Sequence, residues 1–118
     1  MKKYTHQIGA QTFDIVVGTN AKENWDLIDG AEPDDLWFHV DDFSSGHVLI
    51  KERFDTKTNL QQIHYPNQII SIGSQYCKSQ SKFKDKKKLK IIYTQISNIK
   101  KGKTIGSVYV RNSSYIYI

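Results

Sequence analysis

The sequence is poor in the residues and runs that mark several common protein classes. Its one cysteine, Cys77, excludes an internal disulfide and favours a reducing compartment. No apolar run approaches the roughly 20 residues that span a bilayer, so no membrane association is expected. No apolar stretch follows Met1–His6, so no secretory signal is predicted. Without repeats or Pro/Gly-rich linkers, the 118 residues predict one soluble, cytoplasmic domain spanning 1–118.

Common catalytic fingerprints are also missing. The chain has no Gly-x-Ser-x-Gly, no Walker A sequence and no Rossmann glycine pattern. It also lacks the His/Cys spacing that is typical of zinc sites. We therefore expect neither a cofactor nor a metal, and a binding module is favoured over an enzyme.

Charge, in contrast, is plentiful and unevenly distributed. The segment Asp14–Asp42 has nine acidic residues and one lysine, whereas Lys78–Lys103 has ten lysines and one aspartate. The net charge of the chain is +5. A polarised domain of this kind attracts polyanions, although lysine-rich loops also serve solubility alone.

Local patterns predict an α+β fold, with a largely antiparallel sheet packed by one long helix. Asn20 is a candidate N-cap for a short helix at about 20–30. Apolar residues recur on one stripe after Pro66, which predicts the long helix at about 67–83. A turn is expected at Gly9-Ala10 and a loop over 55–64. The β-type runs are Tyr4–Ile8, Thr12–Val17, Leu36–Asp41, His47–Lys51, Leu89–Thr94, Ile105–Arg111 and Tyr115–Ile118.

The segment from Asp34 to Asp41 has the most informative pattern. Strand alternation puts Trp37, His39 and Asp41 on one face and the apolar Leu36, Phe38 and Val40 on the other. If the next strand pairs antiparallel with apolar faces coincident, Phe38 lies opposite Val48 and Leu36 opposite Ile50. The same register puts His39 opposite His47, with their Cβ atoms about 5 Å apart.

Four interpretations of this histidine pair remain open. His39 and His47 are candidates for the acid and base of an RNA-processing enzyme. The two-histidine phosphoesterase signature, however, requires Ser or Thr where Asp41 and Leu49 stand. A metal site would need more ligands than Asp41 supplies. The histidines could instead bind phosphate or ribose while Trp37 stacks on a base, or the three residues could be part of the core.

Lysines from a helix end and two loops would form a phosphate-binding surface if they converge. Asn20 and Asn98 would then give polar support. The predicted nucleic-acid-binding residues are Asn20, Trp37, His39, His47, Lys78, Lys82, Asn98, Lys100 and Lys101.

Three segments together resemble the signature of the NFACT-R domain. They are Gly18-x-Asn20-x3-Asn24-x2-Leu27, Asp34-Asp35-Leu36-Trp37-Phe38-His39-Val40, and Ser45-Gly46-His47-Val48. The residues within these segments are similar to those of the standalone eukaryotic form of this family. The resemblance covers the chain from Phe13 onward and includes the helix that ends in Tyr76-Cys77-Lys78.

The resemblance implies nucleic-acid binding without a settled catalytic activity. RNA is the favoured ligand, tRNA or rRNA included, and DNA is the alternative. The NFACT proteins act in ribosome-associated quality control, so the resemblance also implies ribosomal or translation-factor partners. A protein adaptor that docks on the ribosome or on a translation factor is therefore another hypothesis.

Overall fold

The computed structural model describes residues 1–8, 11–41, 43, 45–53 and 67–118. Within these ranges the chain forms eight strands, two α-helices and one 3-10 turn, at Ile96–Asn98. The strands are β1 (Lys2–Ile8), β2 (Gln11–Val17), β3 (Leu36–Val40), β4 (Val48–Arg53), β5 (Lys90–Gln95), β6 (Ile99–Lys101), β7 (Val108–Val110) and β8 (Ser114–Tyr117). The helices are α1 (Ala21–Asp29) and α2 (Asn67–Ser79).

Six of these strands form one sheet in the order β1-β2-β4-β3-β5-β8, and all neighbours are antiparallel. β6 and β7 pair separately as an antiparallel hairpin. The predicted α+β class and the mainly antiparallel sheet are therefore confirmed. The predicted register between β3 and β4 is confirmed as well, because Leu36 pairs with Ile50 and Phe38 with Val48.

The sheet has two apolar faces, and a different layer covers each. α2 lies on one face, where Phe38 is completely buried beneath Ile69 and its neighbours. α1 and the β6–β7 hairpin pack on the other face, which includes the completely buried Trp37. We call this second face the histidine face, because strand alternation puts His39 and His47 on it. β3 thus has core on both sides, which explains its nearly continuous burial.

The short helix forms as predicted. The side chain of Asn20 caps α1 by accepting a hydrogen bond of 2.9 Å from the backbone N–H of Glu23. Gly30 follows the last helical residue.

The prediction of one long helix at 67–83 is wrong, since α2 ends at Ser79 after 13 residues. Serine side chains explain the early end. Ser81 Oγ donates to the carbonyl of Lys78 and accepts from the backbone N–H of Phe83. Such local bonds satisfy the last helical carbonyls and compete with further helix. Phe83 still packs on the core, but from a turn.

The region after β5 differs most from expectation. The predicted strand Ile105–Arg111 is shortened to β7, and β6 forms where one of the two lysine-bearing loops was expected. The turn between them is closed by side chain and backbone, because Ser107 donates to the carbonyl of Thr104 through both its Oγ and its N–H. Two other predictions, the turn at Gly9-Ala10 and the loop over 55–64, lie outside the described residues.

Gly73 offers a test of how closely α2 packs on the sheet. A Cβ at this position would overlap the ring of Phe38 and would lie 2.8 Å from Cδ1 of Ile50. Gly73→Ala is therefore expected to lower the free energy of unfolding by about 1–3 kcal/mol, because strain from overpacking exceeds the gain in helix propensity. Denaturant unfolding measures the change.

Gly30→Ala is the matched control, since its nearest contact would be an ordinary 3.5 Å and its φ is −91°. If the two variants are equally stable, the close contact between α2 and the sheet is wrong.

Candidate nucleic-acid interface

A buried amide fixes the segment that leads into β4. Asn24 of α1 is 7% exposed, and its Oδ1 accepts a 2.9 Å hydrogen bond from the backbone N–H of His47. Its Nδ2 donates to the carbonyl of Ser45 over 3.3 Å. On the other side, the N–H of Gly18 donates to the carbonyl of His47. Gly46 is required because a Cβ there would overlap the carbonyl oxygen of Gly18.

This arrangement forms one wall of a cavity of about 660 Å³ on the histidine face. The volume lies within the range of small-ligand sites, roughly 300–1,000 Å³. The start of α1 and the β6–β7 hairpin form the remaining walls. The lining residues are Thr19, Asn20, Ala21, Asn24, Trp37, His39, Ser45, Gly46, His47, Ile92, Thr104, Ile105, Gly106, Ser107, Val108 and Val110.

Three aromatic rings are grouped at the base of the cavity. The ring centroids of His39 and His47 are 4.7 Å apart, with the rings nearly perpendicular. Trp37 lies 5.7 Å from His39 in a stacked arrangement and 5.1 Å from His47 edge to face. His47 is 2% exposed and Trp37 is 0% exposed, whereas His39 is only partly buried. His39 is therefore the ring most open to a ligand.

Burial keeps both imidazoles neutral at physiological pH. Desolvation lowers the pKa of His39 from 6.5 to about 4, although the charge of Asp41 and a hydrogen bond with the Ser45 backbone act in the opposite direction. The pKa of His47 falls to about 3 through desolvation and the proximity of His39. The pair thus supplies no imidazolium at neutral pH.

Several polar atoms around the cavity lack a hydrogen-bond partner. Among the described residues, these buried atoms are Trp37 Nε1, Ser45 Oγ and His47 Nδ1. All three belong to residues that line the cavity. No other described protein group bonds these three atoms, so the protein itself leaves three polar positions beside the cavity unsatisfied.

The β6–β7 hairpin is attached to α1 by two polar contacts. The indole N–H of Trp25 donates to the carbonyl of Ser107 over 2.8 Å. Lys101 forms an ion pair with Asp29, and its ammonium lies 5.3 Å from the centre of the Trp25 ring. These contacts hold the hairpin beside the cavity.

A model of the NFACT protein RNA binding domain matches residues 3–112 of the chain. The chain belongs to the NFACT-R family. The membership supports a general role in RNA binding. It also accounts for the resemblance noted from Gly18 to Val48.

Curated relatives agree with the standalone form of the family. The chain is 33% identical over 95 residues to coiled-coil domain-containing protein 25 of Mus musculus, covering 80% of this chain and 44% of the relative. Its homolog in Dictyostelium discoideum is 35% identical, covering 81% and 46%. Protein JLP2 of Saccharomyces cerevisiae is 41% identical over 71 residues, covering 58% and 33%. The chain thus spans less than half the length of the relatives it matches.

A solved structure shares the fold. The C-terminal part of the fibronectin/fibrinogen-binding protein from Streptococcus suis superposes with a TM-score of 0.78 at 20% identity. The match covers 98% of this chain and 43% of the other. At this level of identity the likeness establishes the architecture alone.

The NFACT-R fold brings together only some of the predicted binding residues. Asn20, Trp37, His39 and His47 all line the cavity. Lys100 and Lys101 lie on β6, in the hairpin that forms a cavity wall. Asn98 precedes β6, and its Nδ2 donates to Thr94 Oγ1 over 2.8 Å, which is a structural contact.

The predicted convergence of all lysines around the histidines is wrong. Lys78 belongs to α2, on the opposite face of the sheet, and donates to the carbonyl of Ile118 over 2.9 Å. Lys82 follows α2 and lies 5.5 Å from the centre of the Phe83 ring. Trp37 also differs from expectation, because complete burial leaves it no open stacking surface.

Two tyrosines on the histidine face were missed by the sequence reasoning. In the sheet, His39 pairs with Ile92, which pairs with Tyr115, so the three side chains lie in one row. Tyr115 and Tyr117 are 60% and 55% exposed, and the Lys90 ammonium lies 4.7 Å from the Tyr115 ring centre. The two-residue spacing of these tyrosines in the predicted last strand indicates that they share one face, and this pattern was visible in the sequence.

Metal binding and membrane spanning receive no support from the geometry. No group of three or more His, Cys, Asp or Glu side chains within the described ranges could hold a metal ion. Asp41, a possible third ligand, instead pairs with Lys90 at 3.2 Å. In the same part of the chain, neither helix has the length and hydropathy to cross a bilayer.

Acidification is expected to destabilise the protein through the two buried imidazoles. In the unfolded chain they bind protons near pH 6.5, but in the fold only near 4 for His39 and 3 for His47. Their neutral state therefore favours folding fully above pH 6.5 and loses this contribution as the pH falls toward those values. From about pH 7 to about pH 5 the free energy of unfolding should fall by on the order of 2 kcal/mol per ring.

Urea unfolding at the two pH values measures the loss. His39→Gln is the suitable comparison because His39 is the less buried of the two rings, and this variant should lose clearly less stability on acidification. An identical pH dependence in both proteins would contradict the assignment to these rings.

Proposed function

We propose that this chain binds single-stranded RNA across the histidine face, between the β6–β7 hairpin and the exposed edge strand β8. The observation that carries the proposal is the position of a basic hairpin and an exposed tyrosine pair on the two sides of one cavity, in a domain of the NFACT-R family. RNA needs cations for its phosphates and flat surfaces for its bases. Both are present on this face.

The cations come from the hairpin and its flanks. The segment 99–111 contains Lys100, Lys101, Lys103 and Arg111 and no acidic residue. Lys100 and Lys103 are exposed, and neither forms an ion pair with another described residue. Free ammonium groups on a hairpin without acidic residues are suited to phosphate oxygens, because binding to Lys100 or Lys103 displaces no internal partner.

The flat surfaces come from β8. Tyr115 and Tyr117 have ring centroids 5.7 Å apart and lie mostly in solvent. Lys90 adds a cation beside Tyr115, at the same edge. Exposed aromatic rings next to ammonium groups are the usual means of binding single-stranded nucleic acid without sequence preference.

The competing hypotheses have less support. An acid–base pair needs one protonated member, and the lowered pKa values of His39 and His47 leave both neutral at pH 7. Docking on a ribosomal protein or a translation factor would give no role to the cavity or the exposed lysines. These features therefore favour RNA binding over the adaptor hypothesis. DNA of the same sequence is the direct competitor in the binding assay, since preference for RNA depends on the 2′-hydroxyl.

Removing hairpin charge is expected to weaken RNA binding and its salt dependence together. Lys100→Ala combined with Lys103→Ala should flatten the slope of log affinity against log salt by about 0.7 for each phosphate that the variant no longer neutralises. Fluorescence anisotropy with a labelled oligoribonucleotide over a series of KCl concentrations measures the slope.

Lys82→Ala combined with Lys84→Ala removes the same charge beyond α2 and is the matched control. It should leave the slope nearly unchanged, because these residues follow the helix on the opposite sheet face. An equal loss in both variants would mean that affinity depends on net charge and would exclude the hairpin as the binding surface.

Removing the tyrosine rings is expected to lower affinity without changing the salt dependence. Tyr115→Ala should weaken binding of the oligoribonucleotide by about 5- to 150-fold if one base stacks on the ring, the range for base–aromatic stacking. Tyr115→Phe keeps the ring and should bind as the parent does. If alanine and phenylalanine behave alike at this position, stacking on β8 is refuted.

A further inference from the structure

We propose that the cavity on the histidine face binds the base of one unpaired nucleotide, while the adjoining phosphates lie on the β6–β7 hairpin. The proposal rests on the proposed function and adds a specific site for one base to it. Three features of the cavity carry it: its lack of charge, the composition of its walls and its position between the hairpin and β8.

The lining residues carry no charge at neutral pH. None of them is Lys, Arg, Asp or Glu, and the two histidines are neutral. A phosphate group inside the cavity would therefore lose part of its hydration and meet the start of α1 but no cation, which is less favourable than contact with the lysines outside. A neutral ring system with polar edges avoids that cost, and a nucleobase is the part of RNA with this character.

The walls combine apolar and polar side chains. Ile92, Val108 and Val110 contribute aliphatic surface, and all three also pack on the core of the histidine face. Asn20 and His39 contribute side chains with donors and acceptors. A flat base can contact aliphatic groups with its faces and exchange hydrogen bonds along its edge.

Unpaired polar atoms strengthen the argument for a ligand with a polar edge. His47 Nδ1 and Trp37 Nε1 have no hydrogen-bond partner in the part of the chain that the structure describes, and their residues are at least nine-tenths buried and line the cavity. The Nε1–H of tryptophan can only donate, whereas the neutral imidazole of histidine can donate or accept. Nucleobases offer both donors and acceptors along one edge, so they match this mixed set better than a hydrocarbon does, once a small movement of the rings exposes the two atoms, each of which has less than 1 Å² of accessible surface.

The position of the cavity explains how one base would reach it. Lys103 lies in the turn that continues into the lining residues Thr104–Val108, and Tyr115 lies two strands from His39 in the same row. An RNA strand whose phosphates follow the hairpin lysines passes the mouth of the cavity before it reaches the tyrosines. One base can turn into the cavity at that point without any additional cation from the protein, because its phosphates stay on the hairpin.

Free nucleosides test the cavity independently of RNA binding. Adenosine, guanosine, cytidine and uridine are added in turn to the intact chain, and the amide and indole N–H resonances are followed by NMR. At least one nucleoside should shift the Trp37 indole N–H and the backbone N–H of His47 in a saturable way, with a dissociation constant on the order of 1 mM. Ribose 5-phosphate, which lacks the base, should leave both resonances in place.

A space-filling variant links the cavity to RNA affinity. Val108→Phe enlarges a half-buried lining side chain without removing a polar group, so it should abolish the nucleoside shifts and weaken RNA binding about ten-fold. Its salt slope should stay unchanged, since the hairpin lysines are intact. Ile72→Phe, a similar enlargement on α2 at the other sheet face, is the control and should bind nucleosides and RNA normally.

The outcomes separate the two proposals. Absence of any nucleoside shift, or shifts that persist in Val108→Phe or also occur with ribose 5-phosphate, would overturn the base site even if RNA binds. Nucleoside shifts without measurable affinity for RNA would refute the proposed function and leave the cavity as a site for a free nucleoside. Saturable shifts that disappear in Val108→Phe, together with the ten-fold weaker RNA binding, would support both.

Discussion

The candidate site depends on one buried side chain, the carboxamide of Asn24. Its two hydrogen bonds join α1 to the segment before β4 and so hold His47 beside His39. Because His47 is nearly enclosed, losing the bond from its backbone N–H to Asn24 would leave that N–H unpaired in the core. Much of the family signature around it, including Gly18 and Gly46, is explained by this packing. Those residues shape the wall of the cavity, and a ligand would contact other side chains.

The β-hairpin of β3 and β4 was predictable because strand alternation and a short loop fix its register. A shift by one residue would have put Phe38 opposite His47 or Leu49 instead of Val48, so only one pairing makes the apolar faces of the two strands coincide. The position of the lysines was not predictable in the same way. Lys78 and Lys100 are separated by the sheet, and the choice of face depends on contacts distant in sequence, such as that between Gly73 and Phe38. The burial of Trp37 has the same origin, since α1 and the hairpin cover it.

The uneven charge of the sequence also changes meaning in the fold. The acidic segment Asp14–Asp42 is partly neutralised in the fold, because three of its carboxylates pair with lysines outside that segment. Asp35 contacts Lys51 at 3.0 Å, Asp41 contacts Lys90 at 3.2 Å, and Asp29 contacts Lys101. Charge counted along a chain therefore overstates the field around the folded domain. For the binding of anions, the lysines without such partners matter more than the net charge of the chain.

The ion pair between Lys101 and Asp29 has a consequence for selectivity. Asp29 is the last residue of α1, where the helix dipole is negative, so the carboxylate gains from a neighbouring cation. Under the proposed function, an anion that recruits Lys101 has to take the ammonium group from this carboxylate. Because Asp29 is 57% exposed, water solvates the released carboxylate, so the cost of the exchange is small. A polyanion that contacts several cations meets this cost more readily than a single charged group does, so the pair favours extended ligands only slightly.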